Sequence, residues 1–80
     1  MENKEQLNTW VIFFNTTDYP DQYSARRFHG KTPTDDFFYD PFYKAALGWV
    51  KYNAEKHGEL QLHKFPRYIS DHESVVEVWL

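Results

Sequence analysis

Val75-Val76-Glu77-Val78-Trp79-Leu80 closes the chain as a β-strand, and Trp10-Val11-Ile12-Phe13-Phe14 forms a second, aromatic strand near its start. Runs of β-branched and aromatic residues at these lengths suit a pleated, partly buried surface. In the terminal strand Val76, Val78 and Leu80 share one face, and Val75, Glu77 and Trp79 the other. In the first strand Trp10, Ile12 and Phe14 face one way and Val11 and Phe13 the other. Both of its faces are apolar, which places it centrally in a sheet or against a second chain. Both ends of the chain are therefore expected to belong to the fold.

Outward from these strands, Thr16-Thr17-Asp18-Tyr19-Pro20-Asp21 reads as a turn-rich connector. Gln22 to His29 reads as a second strand, and Gly30 to Asp36 as a break carrying a glycine and a proline. Phe37-Phe38-Tyr39 is too short to type. A helix is predicted from Pro41 to His57, with Asp40 as N-cap, Pro41 at the first helical position and Gly58 at the left-handed position that ends it. Its apolar stripe is Phe42, Ala45, Ala46, Trp49 and Val50, and the interior Gly48 suggests close approach to another backbone. Glu59 to Phe65 reads as a third strand ended by Pro66, with Tyr68 and Ile69 anchoring a loop and Ser70 to Ser74 turning into the last strand. The order predicts an α+β domain, a small mainly antiparallel sheet of three or four strands with one helix packed on one face. Residues 1–8 read as a flexible arm and 9–80 as the single domain. The expected core is Trp10, Ile12, Phe14, Ala46, Trp49, Val50, Val76 and Val78.

A chain of 80 residues buries only roughly 60% of the surface its unfolded form exposes. There is no cysteine to staple it, so no disulfide or thiolate zinc site supplements the core. Aromatics take that place: three Trp, six Tyr and seven Phe, each able to bury about 150–250 Å². They also outnumber what one helix can cover, which predicts a homodimer or a heterologous partner. The net charge of −3 and pI near 5.7 give no field to attract a polyanion. The polar start and the lack of any long apolar run predict no membrane contact and a cytoplasmic protein.

Trp10-Val11-Ile12 with Asp18-Tyr19-Pro20, Ala25-Arg26-Arg27-Phe28, Pro33-Thr34, Pro66, Asp71 and the Val75–Leu80 end together carry a resemblance. They resemble a group of short uncharacterised bacterial and phage-associated proteins with an aromatic first strand, a Tyr-Pro or Phe-Pro connector and a Val-Glu-x-Trp carboxyl end. The segment from Asp35 to Lys56 departs from the shorter middle expected there. The resemblance implies a fold and no activity.

Chemistry is thinly signalled. His29, His57, His63 and His72 show no i, i+4 pair on a helix, and no metal or cofactor is expected. Asp35-Asp36 and Asp71 with Glu73 sit in polar turns, unlike the two differing environments that acid–base catalysis requires. No nucleophile motif or phosphate loop occurs, so the protein is read as not an enzyme. Charge is segregated, however. Arg26, Arg27, His29 and Lys31 surround Phe28, and Lys64 and Arg67 accompany Phe65 and Tyr68. Arg26, Arg27, Phe28, His29, Lys31, Lys64, Arg67 and Tyr68 are the candidate interaction residues. Such a composition suits a protein interface and, as the alternative, a platform for single-stranded nucleic acid. The acidic total favours a small non-enzymatic protein-interaction module; a phage-associated or regulatory role is what the resemblance, and not the composition, suggests.

Overall fold

The apolar alternation on both sides of Trp10-Val11-Ile12-Phe13-Phe14 is satisfied by placing that strand in the middle of a sheet. A computed structural model describes residues 8–59, 61–66 and 73–80. Within them the elements are β1 (Asn8–Phe14), β2 (Tyr23–His29), β3 (Thr32–Asp40), α1 (Tyr43–Lys56), β4 (Lys64–Pro66) and β5 (Val75–Trp79). The strand order is β3-β2-β1-β5-β4, and every neighbouring pair is antiparallel. The class is α+β as expected, but the described residues build five strands rather than three or four. No helix among them is long and apolar enough to cross a membrane.

The additional strand is β3, from the segment read as a break and an untyped patch. Gly30, at φ 65, opens a two-residue turn between the paired His29 and Thr32, a geometry that glycine adopts without strain. Pro33 is tolerated because β3 is outermost, where a missing amide hydrogen breaks no central ladder. Conversely, among the described residues of the strand predicted from Glu59 to Phe65, only Lys64 and Phe65 are strand, continuing to Pro66. The expected anchors Tyr68 and Ile69, and residues 1–7 of the expected arm 1–8, lie outside the described residues, whereas Asn8 already belongs to β1.

Helix α1 begins at Tyr43, after Phe42 as an N-cap with no side-chain cap bond. Asp40 is thus not the N-cap: it is the last residue of β3, and its carboxylate accepts the Phe42 amide at 2.9 Å. Phe42, expected on the inward stripe, is 71% exposed. The helix ends as predicted, with Gly58 at φ 79. Glu59 N–H donates to Ala54 O and Gly58 N–H to Glu55 O, both at 2.9 Å, the paired bonds that satisfy orphan carbonyls at a helix end.

The core lies between α1 and one sheet face. Trp10, Ile12, Ala25, Ala46, Val50 and Ala54 are fully buried there, with Trp49, Val76 and Trp79 among the residues packed around them. Two expected core residues are elsewhere. Phe14 is at the strand end, exposed and in ring contact with Tyr23, and Val78 pairs with Val11 on the opposite face. A register shift explains the difference: Ile12 pairs with Glu77 but Phe13 pairs with Val75. Val76 is left without an opposite residue and turns into the core. Glu77 therefore points inward, 7% exposed. Its Oε2 accepts the Tyr43 hydroxyl at 2.5 Å and the Trp79 indole N–H at 3.0 Å, which offsets the cost of burying a carboxylate. Burial, reinforced by that bond and the charge of Glu77, pushes the Tyr43 hydroxyl from 10.0 up to about 12.

Gly48 makes no close approach, since a Cβ there would meet nothing within 4 Å. Gly48→Ala is accordingly expected to raise stability by about 0.5–1 kcal/mol in denaturant melts, through helix propensity alone. For Tyr43, the unfolded chain loses its proton near pH 10 while the folded chain holds it to about 12. The associated stability is complete below pH 10 and is lost as pH rises through 12. Tyr43→Phe should cost about 1–2 kcal/mol at neutral pH and flatten that alkaline decline in a pH series of melts.

Candidate interaction surface

Antiparallel partners share a face, so the register defines what the sheet presents on the side away from α1. One row runs Phe37, Arg26, Val11, Val78 and Phe65 across all five strands. The next runs Tyr39, Ser24, Phe13 and Val75. No described helix or strand packs on this face. What folds onto its outer half is the β1–β2 connector. Asn15 and Asp21 both take positive φ, a conformation Asn and Asp tolerate in turns. Asp21 N–H donates to Asn15 Oδ1 at 2.8 Å, and Asn15 N–H to Gln22 O at 2.9 Å, closing the loop on itself. Tyr19 N–H donates back to Thr16 O at 3.2 Å.

Tyr19 is thereby set against β3. Its ring stacks on Tyr39 at 4.3 Å and 23°, and lies 5.8 Å from Phe37. Phe37 and Tyr39, two residues apart on the strand, are 6.3 Å apart at 22°. The Arg26 guanidinium sits 4.9 Å over the Phe37 ring and donates from Nη1 to Thr34 O at 2.8 Å. Ring stacking and the cation over a ring each favour this arrangement by about 0.5–1.5 kcal/mol. Phe37 at 37% and Tyr39 at 50% exposure nevertheless keep much of their surface in water. Between them and β1 is a hollow of about 150 Å³ bounded by Phe13, Asp18, Tyr19, Ser24, Arg26 and Phe37. That is about half the lower limit of a small-molecule pocket. On the other side of the sheet a groove of about 350 Å³ runs between α1 and β5, lined by Lys51, Glu55, Glu59, Gln61, Leu62 and Trp79. Among the described residues no three His, Asp or Glu side chains group as metal ligands.

The sequence-predicted residues do not converge. Arg26 and Phe28 lie on the face away from α1, whereas Arg27, by alternation, lies on the helix face. Its Nε donates to Asp36 Oδ2 at 2.7 Å and its Nη1 to Asn8 Oδ1 at 2.9 Å. Asn8 in turn donates to Glu59. Arg27 is thus part of an internal network rather than a docking surface. His29 is exposed at the end of β2 and Lys31 in the hairpin turn. Lys64, on β4, pairs with Trp79 and so shares its face, three strands from β2, a lateral separation of about 14 Å. Arg67 and Tyr68 lie outside the described residues. The residues that do come together, Tyr19, Phe37 and Tyr39, were missed. Their signal was the period of two in Phe37-Phe38-Tyr39, which sends Phe38 to α1, where it stacks on Trp49 at 6.0 Å.

The two adjacent arginines should therefore behave differently. Arg27→Ala strands Asn8 and Asp36 and is expected to cost about 1–2 kcal/mol in denaturant melts, discounted for the half-exposed Asp36. Arg26→Ala should cost less than about 1 kcal/mol; the reverse order would remove Arg27 from the helix-face network.

Compared with known proteins, the chain matches no family model, no curated protein and no solved structure, so its reading rests on this geometry.

Proposed function

We propose that this chain is a non-enzymatic protein-interaction module, acting in the cytoplasm, that engages a partner through Tyr19, Phe37 and Tyr39 with Arg26. The observation that carries the reading is the pre-ordered ring cluster: half-buried Tyr19 stacks on Tyr39 and leans against Phe37, with a closed loop on one side and a strand on the other, and Phe37 and Tyr39 are still exposed. Rigid aromatic and Arg side chains lose little entropy on docking and dominate protein interfaces for that reason. The absence of cysteine is compatible with a reducing compartment.

The rival, a platform for single-stranded nucleic acid, also uses rings on a sheet, but it needs a row of cations beside them, whereas among the described residues Arg26 alone is set over a ring of this cluster. Arg27 is neutralised by Asp36 on the other face, and Asp18 enters the same hollow as the rings. Carboxylates there repel a phosphate backbone, which favours the protein reading.

The test compares the wild type with a Phe37→Ala, Tyr39→Ala variant, both checked for a cooperative melt, in pull-downs from lysate with and without nuclease. Proteins that survive nuclease and are lost with the variant are expected, and sedimentation of the isolated protein tells whether a second copy is among them. Partners retained equally by the variant would place the interface elsewhere. Retention of nucleic acid alone, with affinity falling steeply in salt, would replace the reading by its rival.

A further inference from the structure

We infer that the outer edge of β3, from Phe37 to Asp40, is a strand-addition site for an extended basic segment of the partner; this deepens the interaction-module reading and rests on it. The two edges of the sheet are unlike. The described residues of β4 are Lys64–Pro66, and a proline on an edge strand makes it a poor template for pairing. β3 has nine residues, and it is protected over only part of its length. At its start Pro33 lacks an amide hydrogen, the register shifts between Arg26 and Phe28, and the Asp36 amide is taken by Thr34 Oγ1 at 3.2 Å. From Phe37 to Asp40 the pairing with β2 is regular and proline, lysine and bulge are all absent. No described strand lies beyond it. Every second residue of that stretch directs its amide and carbonyl outward, as an edge strand must.

An added strand would lay alternate side chains on the two faces of the sheet. On one face they meet the exposed Phe37 and Tyr39 rings, which accept an apolar group or the stem of a long cation. Charge selects the second requirement. β3 carries Asp35, Asp36 and Asp40, and Asp18 lies beside the rings. Of these only Asp36 is paired with an Arg or Lys among the described residues, so lysines or arginines in the segment gain counter-charges. The same acids argue against a second copy of this chain as the occupant. Antiparallel pairing of two β3 edges about Phe38 sets Asp36 opposite Asp40 twice, and like charges directly opposite are destabilising.

The test uses an acetylated eight-residue peptide alternating Lys with Val and Thr, its fully N-methylated version, and a version with Glu for Lys. Each is titrated to millimolar concentration into the ¹⁵N-labelled protein. The expected result is saturable binding of the Lys peptide with slowed amide exchange confined to Phe37–Asp40, loss of at least about tenfold in affinity on N-methylation, and no binding of the Glu peptide. Equal binding of the methylated peptide would reduce the effect to charge attraction and overturn strand addition. Protection at another edge, or no binding at all, would also overturn it. Partner capture that still depends on Phe37 and Tyr39 would leave the module reading standing in those cases, whereas capture independent of both rings removes that reading itself.

Discussion

The Trp10 indole is the point on which the two layers are joined. It is fully buried, lies edge-on to Trp49 at 5.7 Å and to His57 at 5.8 Å, and donates its N–H to Glu59 Oε1 at 2.7 Å. A buried indole without an acceptor costs the desolvation of its N–H. The acceptor comes from the helix end: Gly58 turns the chain, the bond from Glu59 N–H to Ala54 O fixes the exit, and the Glu59 carboxylate is delivered beneath β1. Its other oxygen takes the Asn8 amide at 2.7 Å, and Asn8 accepts from Arg27. One helix cap thus orders β1, β2 and the end of α1 together.

Such a clamp matters because the apolar core is small. Among the described residues only Trp10, Ile12 and Val50 are large side chains with essentially no exposure, and three of the remaining buried apolar residues are alanines. An 80-residue chain with no cysteine has little else to hold its layers in register. Polar side chains with satisfied partners therefore contribute orientation as well as stability: half-buried Glu59 at one end of the interface and buried Glu77, held by Tyr43 and Trp79, at the other. Since all of this lies on the helix side, the aromatics of the opposite face are left for another role.

Much of this was legible in particular residues. The alternation of β1, the period of α1 and the Gly58 stop are local signals, each set by backbone sterics and hydrogen bonding within a few residues. The strand β3 was less legible because Gly30 and Pro33 are the residues of both a loop and a hairpin leading to an edge. Asp40-Pro41 similarly carries the composition of a helix start, yet Asp40 closes the strand and holds the Phe42 amide. Of the candidate site, the period of two in β2 puts Arg26 and Phe28 on a common face, but their neighbours in space are not legible from it.

Composition and periodicity by themselves determined an antiparallel α+β domain with a central aromatic strand, one helix and no stapling, because those properties follow from local propensity and from what a short chain is able to bury. Tertiary structure alone decided which face each residue of β5 presents. A single unpaired residue, Val76, reverses the faces of Glu77 and Trp79 relative to simple alternation after Phe13, and a bulge is a property of two strands in register rather than of one sequence. It also decided that Arg27 meets Asp36 and Asn8 and that Tyr19 meets Phe37 and Tyr39. Those contacts depend on how strands distant in sequence are laid side by side, which no local pattern encodes.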